Sequence, residues 1–298
     1  MAPRMRPTSP TVKRRHIALT LRRLREERTE LTAAEASRSV DKNSSWLSKV
    51  ELAQVRPGVN DVAALLRLYG MDGPAADAVL QVTREAGQKG WWRPYDEVMP
   101  DWFVKYVGLE SAAATLRTYE CQMVPGLLQT EEYARAAIRH APVCETGSSN
   151  RMEQQVALRM ERQRILDSVD PPQLIVVLDE GALRRLVGGP ATMRDQCERL
   201  IEAADRPNVE LQIVEFEQGV GFDGSFVILD FPPPPDPFPL GPIDDRVVYV
   251  DTLAGALYLD LPGQLAAYAD VFESLRAQAL PARKSRDLLR SIAKALTS

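Results

Sequence analysis

Few residues of this chain could carry covalent or proton-transfer chemistry. Its 298 residues include two histidines, His16 and His140, and three cysteines, Cys121, Cys144 and Cys197. They form no recognised nucleophile-and-base motif. No cysteines are spaced as CxxC, so neither a zinc site nor a disulfide framework is expected, and reduced cytoplasmic thiols are the reading. GxxxxGK[ST], GxSxG and HExxH do not occur, and no dinucleotide-type glycine fingerprint is expected. The pairs Asp179-Glu180 and Asp244-Asp245 are ordinary for solvated loops, and Gly188-Gly189 before Pro190 reads as a helix exit. The sequence therefore points to no enzyme, cofactor or metal. The denser polar set is Asn43, Ser44, Ser45, Ser48 and Lys49. Their chemistry is recognition, since serine can donate or accept at almost any base edge, which also means that they do not identify the bases.

The elements around that set must turn it outward. Ile17, Leu21 and Leu24 recur at helical spacing within 13–28, with arginines on the other face. Thr32 followed by Glu35 has the form of a capping box and opens a short helix to about Val40. Asp41-Lys42 makes a turn, and Asn43 is placed to cap a third helix over 44–52, with Leu47 and Val50 inward. Arg56-Pro57-Gly58 breaks the chain. Two more helices follow over 61–69, through Val62, Leu65, Leu66 and Leu68, and over 75–86. Five short helices, two joined by a tight turn, can set one helix into a major groove. The charge agrees: residues 1–70 hold 14 Lys and Arg against 7 Asp and Glu, a balance of +7, whereas the whole chain is at −4. A basic head on an acidic body suits a polyanion at the head alone. The rival reading is a small helical bundle that docks another protein.

The run LTAAEASRSVDKNSSWLSKVE resembles the phage-repressor (Cro/C1, XRE) class of helix-turn-helix regulators. The resemblance implies that Ser44, Ser45, Ser48 and Lys49, with Asn43, stand at or near base edges. Arg25 and Glu51 match positions that form an internal structural ion pair and are left out of the reading set. Thr32 would offer a helix N-terminus to a phosphate oxygen. Arg56, and Lys13, Arg14 and Arg15 on a basic arm, would be further phosphate contacts. Three departures stand out: Ala53 where Gly is preferred, Thr29-Glu30 in place of one Gly, and Ala33 in place of a phosphate-touching Gln.

Beyond residue 85 the texture changes. Three of the four tryptophans fall within 85–110, an aromatic cluster read as packing rather than a ligand cage. Residues 112–120 are a short strand or helix. Thr130 opens a helix, and 151–166 is a charged one. Strands are expected at 174–178, 209–216, 226–231, 247–251 and 256–259, with helices at 180–187, 192–204, 264–279 and 285–296. Gly219-Val-Gly221 reads as a hairpin turn between two of these strands. The proline-rich 232–242 segment is a rigid connector, with a docking peptide as the alternative. The fold class is thus an all-α helix-turn-helix domain of about five helices, followed by a mixed α/β (α+β) domain with a central sheet. The expected boundaries are a flexible basic arm over 1–12, the helical domain over 13–86 and the second domain over 87–298.

The strings YECQMVPGLLQTEEYARA, LDEGALRRLVGG, VELQIVEFEQG, GSFVILDF and VVYVDT resemble the C-terminal domain of actinobacterial helix-turn-helix regulators related to the sporulation regulator WhiJ, a family of antitoxin-like transcriptional regulators. Asp251 stands where that family commonly has Glu. The resemblance implies a cytoplasmic regulator of development or specialised metabolism, a repressor that binds a double-stranded DNA operator. A small partner protein encoded nearby and a homodimer are implied as well, without a membrane. A second domain that senses a small molecule, or an adaptor of antitoxin type, are the alternatives.

Overall fold

The computed structural model describes residues 9–140, 149–218, 222, 224–234, 236–239, 241, 245–252 and 254–296. The chain divides into two compact units, Met1–Arg93 with Phe231–Asp245, and Pro94–Asp230 with Arg246–Ser298.

The first unit is built from five helices: α1 (Pro10–Arg28), α2 (Ala33–Ser39), α3 (Trp46–Glu51), α4 (Val59–Leu68) and α5 (Gly73–Glu85). Their apolar faces converge on Ile17, Leu21, Leu24, Leu47, Val62 and Leu65, all buried. Helix α1 starts three residues before the expected Lys13. The Ser9 hydroxyl accepts the Val12 N–H, Pro10 fits a first-turn position that needs no amide donor, and Val12 is buried. Residues 10–12 are therefore helix rather than arm, and 1–8 lie outside the described residues. The proline-rich strap also belongs to this unit. Phe238 is buried in the helical core, the Arg23 guanidinium donates to the Pro239 carbonyl at 2.6 Å, and Asp245 meets both Arg15 and the buried His16. The strap is a packed part of the helical unit, so reading it as a connector between strands was incomplete.

The second unit carries a six-stranded sheet in the order β3-β2-β1-β4-β5-β6, where β1 is Thr115–Glu120, β2 Gln173–Asp179, β3 Val209–Val214, β4 Phe226–Asp230, β5 Val247–Thr252 and β6 Gly255–Leu259. Strands β1, β2 and β3 are parallel, and β4, β5 and β6 join antiparallel. The helices are α6 (Asp101–Glu110), α7 (Glu131–His140), α8 (Ser149–Gln163), α9 (Glu180–Arg184), α10 (Pro190–Ala203), α11 (Pro262–Gln278) and α12 (Ala282–Ala295). The uncertain 112–120 segment is the strand β1, at the centre of the sheet. On one face of the sheet, Tyr119, Val177, Phe226 and Val248 pack with Phe272 and Leu275 of α11. Leu116, Thr118 and Glu120 alternate onto the other face, as a two-residue period requires.

The hairpin reading of Gly219-Val-Gly221 is corrected by the strand order. Strand β3 pairs with β2, whereas β4 pairs with β1 and β5, so β2 and β1 lie between β3 and β4. Alternation identifies a strand but not its neighbour. The glycine expectation also fails, because Gly219, Gly221 and Gly224 spell GxGxxG. The string leads into the strand β4 rather than a helix, and so lacks the helix N-terminus that makes such a loop a phosphate cradle.

Candidate nucleic-acid interface

The α2–turn–α3 unit is held by local chemistry that the sequence dictates. Helix α2 ends in a Schellman motif: Asp41 N–H donates to the Arg38 carbonyl, Lys42 N–H to the Ser37 carbonyl, and Asp41 sits at φ 57°. Helix α3 ends the same way, with Ala53 and Gln54 donating to Val50 and Lys49 and Ala53 at φ 54°. Ala53 thus keeps the left-handed conformation that glycine would adopt more cheaply, and the loop is not reshaped. Between the two helices, Ser37 is fully buried; its hydroxyl donates to the Ala33 carbonyl and accepts the Leu47 N–H at 3.0 Å. That bond ties α2 to the first turn of α3, and sequence reading passed over it because an apolar pattern ignores a serine.

A second tie runs from α1 to the end of α3. Arg25 Nε and Nη2 donate to the two carboxylate oxygens of Glu51 at 2.8 and 2.9 Å, and Nη1 donates to the Leu31 carbonyl. Both side chains are mostly buried, and the hydrogen bonds from Glu51 raise the Arg25 pKa above its ordinary value. Thr29, one of the departures from the repressor pattern, closes α1 by donating its hydroxyl to the Arg25 carbonyl.

With the scaffold fixed, Ser44, Ser45, Ser48 and Lys49 are all exposed, while Leu47 and Val50 face the core. Asn43 is exposed but does not cap α3. The helix starts at Trp46, and Ser45 occupies the cap position without a side-chain bond. Asn43 instead accepts the Ser45 hydroxyl at 3.1 Å, and its carbonyl accepts the Trp46 N–H. The physical reason is the tight turn after Asp41, which keeps 43–45 out of helical bonding. Ser44 and Ser45 therefore stand at the entrance of α3, and Ser48 and Lys49 along it.

The phosphate-contact set divides. Thr32 forms the full capping box: its hydroxyl and its N–H both donate to Glu35, and the hydroxyl accepts the Glu35 N–H. The bonds from Thr32 hold the Glu35 carboxyl below its ordinary range, so a negative charge already serves Thr32. A phosphate at this turn would meet the Ala33 and Ala34 amides rather than the Thr32 side chain. Lys13 pairs with Glu85 at 2.9 Å, and Arg15 with Asp245 at 2.9 Å, so both are neutralised within the unit. The expectation that they belong to a free arm is corrected for that reason. Arg14 and Arg56 behave differently. Both are exposed, neither has an ion-pair partner among the described residues, and burial followed by repulsion from Arg56 lowers the Arg14 pKa. Arg56 lies over Gly87, where an added Cβ would meet its Nη1. Two like charges held together without a carboxylate make the spot where an anion gains most. Lys42, which sequence reading assigned only to the turn, spans Asp61 and the Trp46 ring.

Among the described residues no helix is long and apolar enough to cross a membrane, and no cluster of His, Cys, Asp or Glu could hold a metal ion. A helix-turn-helix domain family matches residues 16–79, and a family described as a domain of unknown function (DUF5753) matches residues 103–291. No curated protein and no solved structure matches the chain. The first match falls on the helices just described and supports a DNA-binding regulator. The second covers more than half of the chain, which therefore belongs to the DUF5753 family and carries a helix-turn-helix domain ahead of it.

Proposed function

We propose that this protein is a sequence-specific double-stranded DNA-binding transcriptional regulator, a repressor of the Cro/C1 type, that acts in the cytoplasm without enzymatic activity. The observation that carries this reading is the exposed Ser44–Ser45–Ser48–Lys49 face on a helix locked from behind by Ser37 and by the Arg25–Glu51 pair. One such helix reads only a few base pairs, so a homodimer on two half-sites about one helical turn apart supplies the specificity. The second unit binds a small partner protein or mediates the dimer, in keeping with its likeness to WhiJ-related antitoxin-like regulators. The test is binding of the purified protein to its own upstream DNA against a scrambled duplex across a salt series. Selective, salt-sensitive binding supports the reading; equal binding to both duplexes at every salt concentration rejects it.

A second reading, in which the second unit senses a small molecule, is favoured by one observation: a cavity of about 40 Å³ under the sheet, lined in part by Glu110, Glu120 and Arg162. A ligand there alters DNA affinity only if it binds the DNA-competent and incompetent states differently.

A further inference from the structure

The cavity under β1 lies on the sheet face that carries Leu116, Thr118 and Glu120, closed by α6, α8 and the 125–127 turn. Its central group is Arg162, 6% exposed. Three sides of the guanidinium are fixed. Nε and Nη2 each donate to a Glu110 oxygen at 2.7 Å, and the plane lies over Phe103 and Tyr106, at 5.0 and 5.4 Å from the ring centroids. The Nη1 edge alone makes no hydrogen bond to the protein among the described residues. Gly126 leaves that edge uncovered, since a Cβ built there would stand 3.5 Å from Nη1. Buried N–H groups are satisfied in nearly all folded proteins, and an aimed guanidinium edge selects a planar acceptor.

The surrounding charge favours a single negative group. Glu110 balances Arg162, but Arg159, one turn back on α8, donates only to the Gln129 amide at 2.8 Å and has no carboxylate partner among the described residues. Burial, then repulsion from Arg162, lowers the Arg159 pKa to about 10. Glu120 at the cavity wall has its carboxyl pushed up to about 7, first by burial, and so can donate a proton to an oxygen beside it. The remaining wall is apolar, through Leu116, Leu127 and Val227.

We propose that this cavity binds a short-chain carboxylate of about three to five heavy atoms, its carboxylate on Arg162 Nη1 and Glu120 and its alkyl end on the Leu116–Val227 wall. Size sets the limit: a water needs roughly 10–15 Å³ measured this way, so about 40 Å³ holds about three small heavy atoms and their close neighbours. Inorganic phosphate fits the volume but not the charge, since a second negative charge would have no partner beside Glu110 and Glu120. The site is independent of the DNA-binding reading, and its test needs no DNA.

The full-length protein is titrated with formate, acetate and propionate by calorimetry at fixed ionic strength, with chloride and inorganic phosphate as controls. Saturable binding of acetate or propionate is expected, with phosphate at least tenfold weaker. Gly126→Ala places a methyl group at ordinary contact distance from Nη1 and is expected to weaken acetate binding at least tenfold. Val227→Leu fills the same space from β4 and guards against a folding defect in the first variant. No saturable binding of any carboxylate would mean that the cavity holds only water, and would overturn the proposal. Equal binding to phosphate, or unchanged acetate affinity in both folded variants, would overturn it as well.

Discussion

The Leu47 amide of α3 donates to the Ser37 hydroxyl of α2, and both residues are fully buried. This one bond crosses the turn of the helix-turn-helix and sets where α3 begins. Ser37→Ala keeps the backbone and leaves a buried N–H without its acceptor, so a loss of about 1–3 kcal/mol is expected in urea unfolding. An unchanged midpoint would show that the bond does not hold the turn.

The Arg25–Glu51 fork is mostly buried, so removing one partner should cost more than the pair contributes. Glu51→Ala is expected to destabilise by about 3 kcal/mol, and Arg25→Met with Glu51→Leu to recover most of that loss. A double-mutant cycle reads the coupling directly. Equal losses for the single and double variants would count against a buried pair.

Ala53 holds φ 54° at the end of α3, a conformation in which an L side chain costs about 1–2 kcal/mol. Ala53→Gly relieves that cost but frees the unfolded chain, and the net expectation is a gain of up to about 1 kcal/mol. Thermal unfolding of the two proteins decides the sign.

On DNA, the intramolecular pairs separate the cations. Arg56→Ala and Lys49→Ala are each expected to reduce the slope of log affinity against log salt by about one. Lys13→Ala and Arg15→Ala should leave it nearly unchanged, because Glu85 and Asp245 already hold those charges. Ser44→Ala and Ser48→Ala should shift preference between sequences. A full unit of slope lost in the Lys13 variant would restore the basic-arm reading.

Glu120 gives the second unit a pH signature. Its carboxyl rises from 4.5 to about 7 through burial, helped by Asp251 and opposed by the Ser225 hydrogen bond and Arg159. The folded protein binds this proton more tightly than the unfolded chain does. The contribution to stability is therefore full below pH 4.5 and is lost as pH rises to about 7, by up to ~3 kcal/mol. Glu120→Gln should remove that slope and be more stable than the natural protein at pH 8; parallel stability curves would contradict the assignment.

The sequence by itself determined the local elements and their inward faces. The heptad-like Ile17, Leu21 and Leu24, the Thr32–Glu35 capping box and the Asp41 turn are short-range features, in which a residue answers to neighbours three or four positions away. The Arg25–Glu51 pair was legible only through resemblance to a known motif. Tertiary structure alone decided the rest. Strand patterns told that β3 and β4 exist, not that β2 and β1 separate them, because alternation carries no record of the partner. Lys13 and Arg15 looked like free cations until folding brought Glu85 and Asp245 to them from 72 and 230 positions away. Phe238 entered the helical core from a proline-rich segment, and Arg162 found Glu110 from another helix. Long-range pairing of this kind depends on packing and charge burial in the assembled fold, which no local pattern encodes.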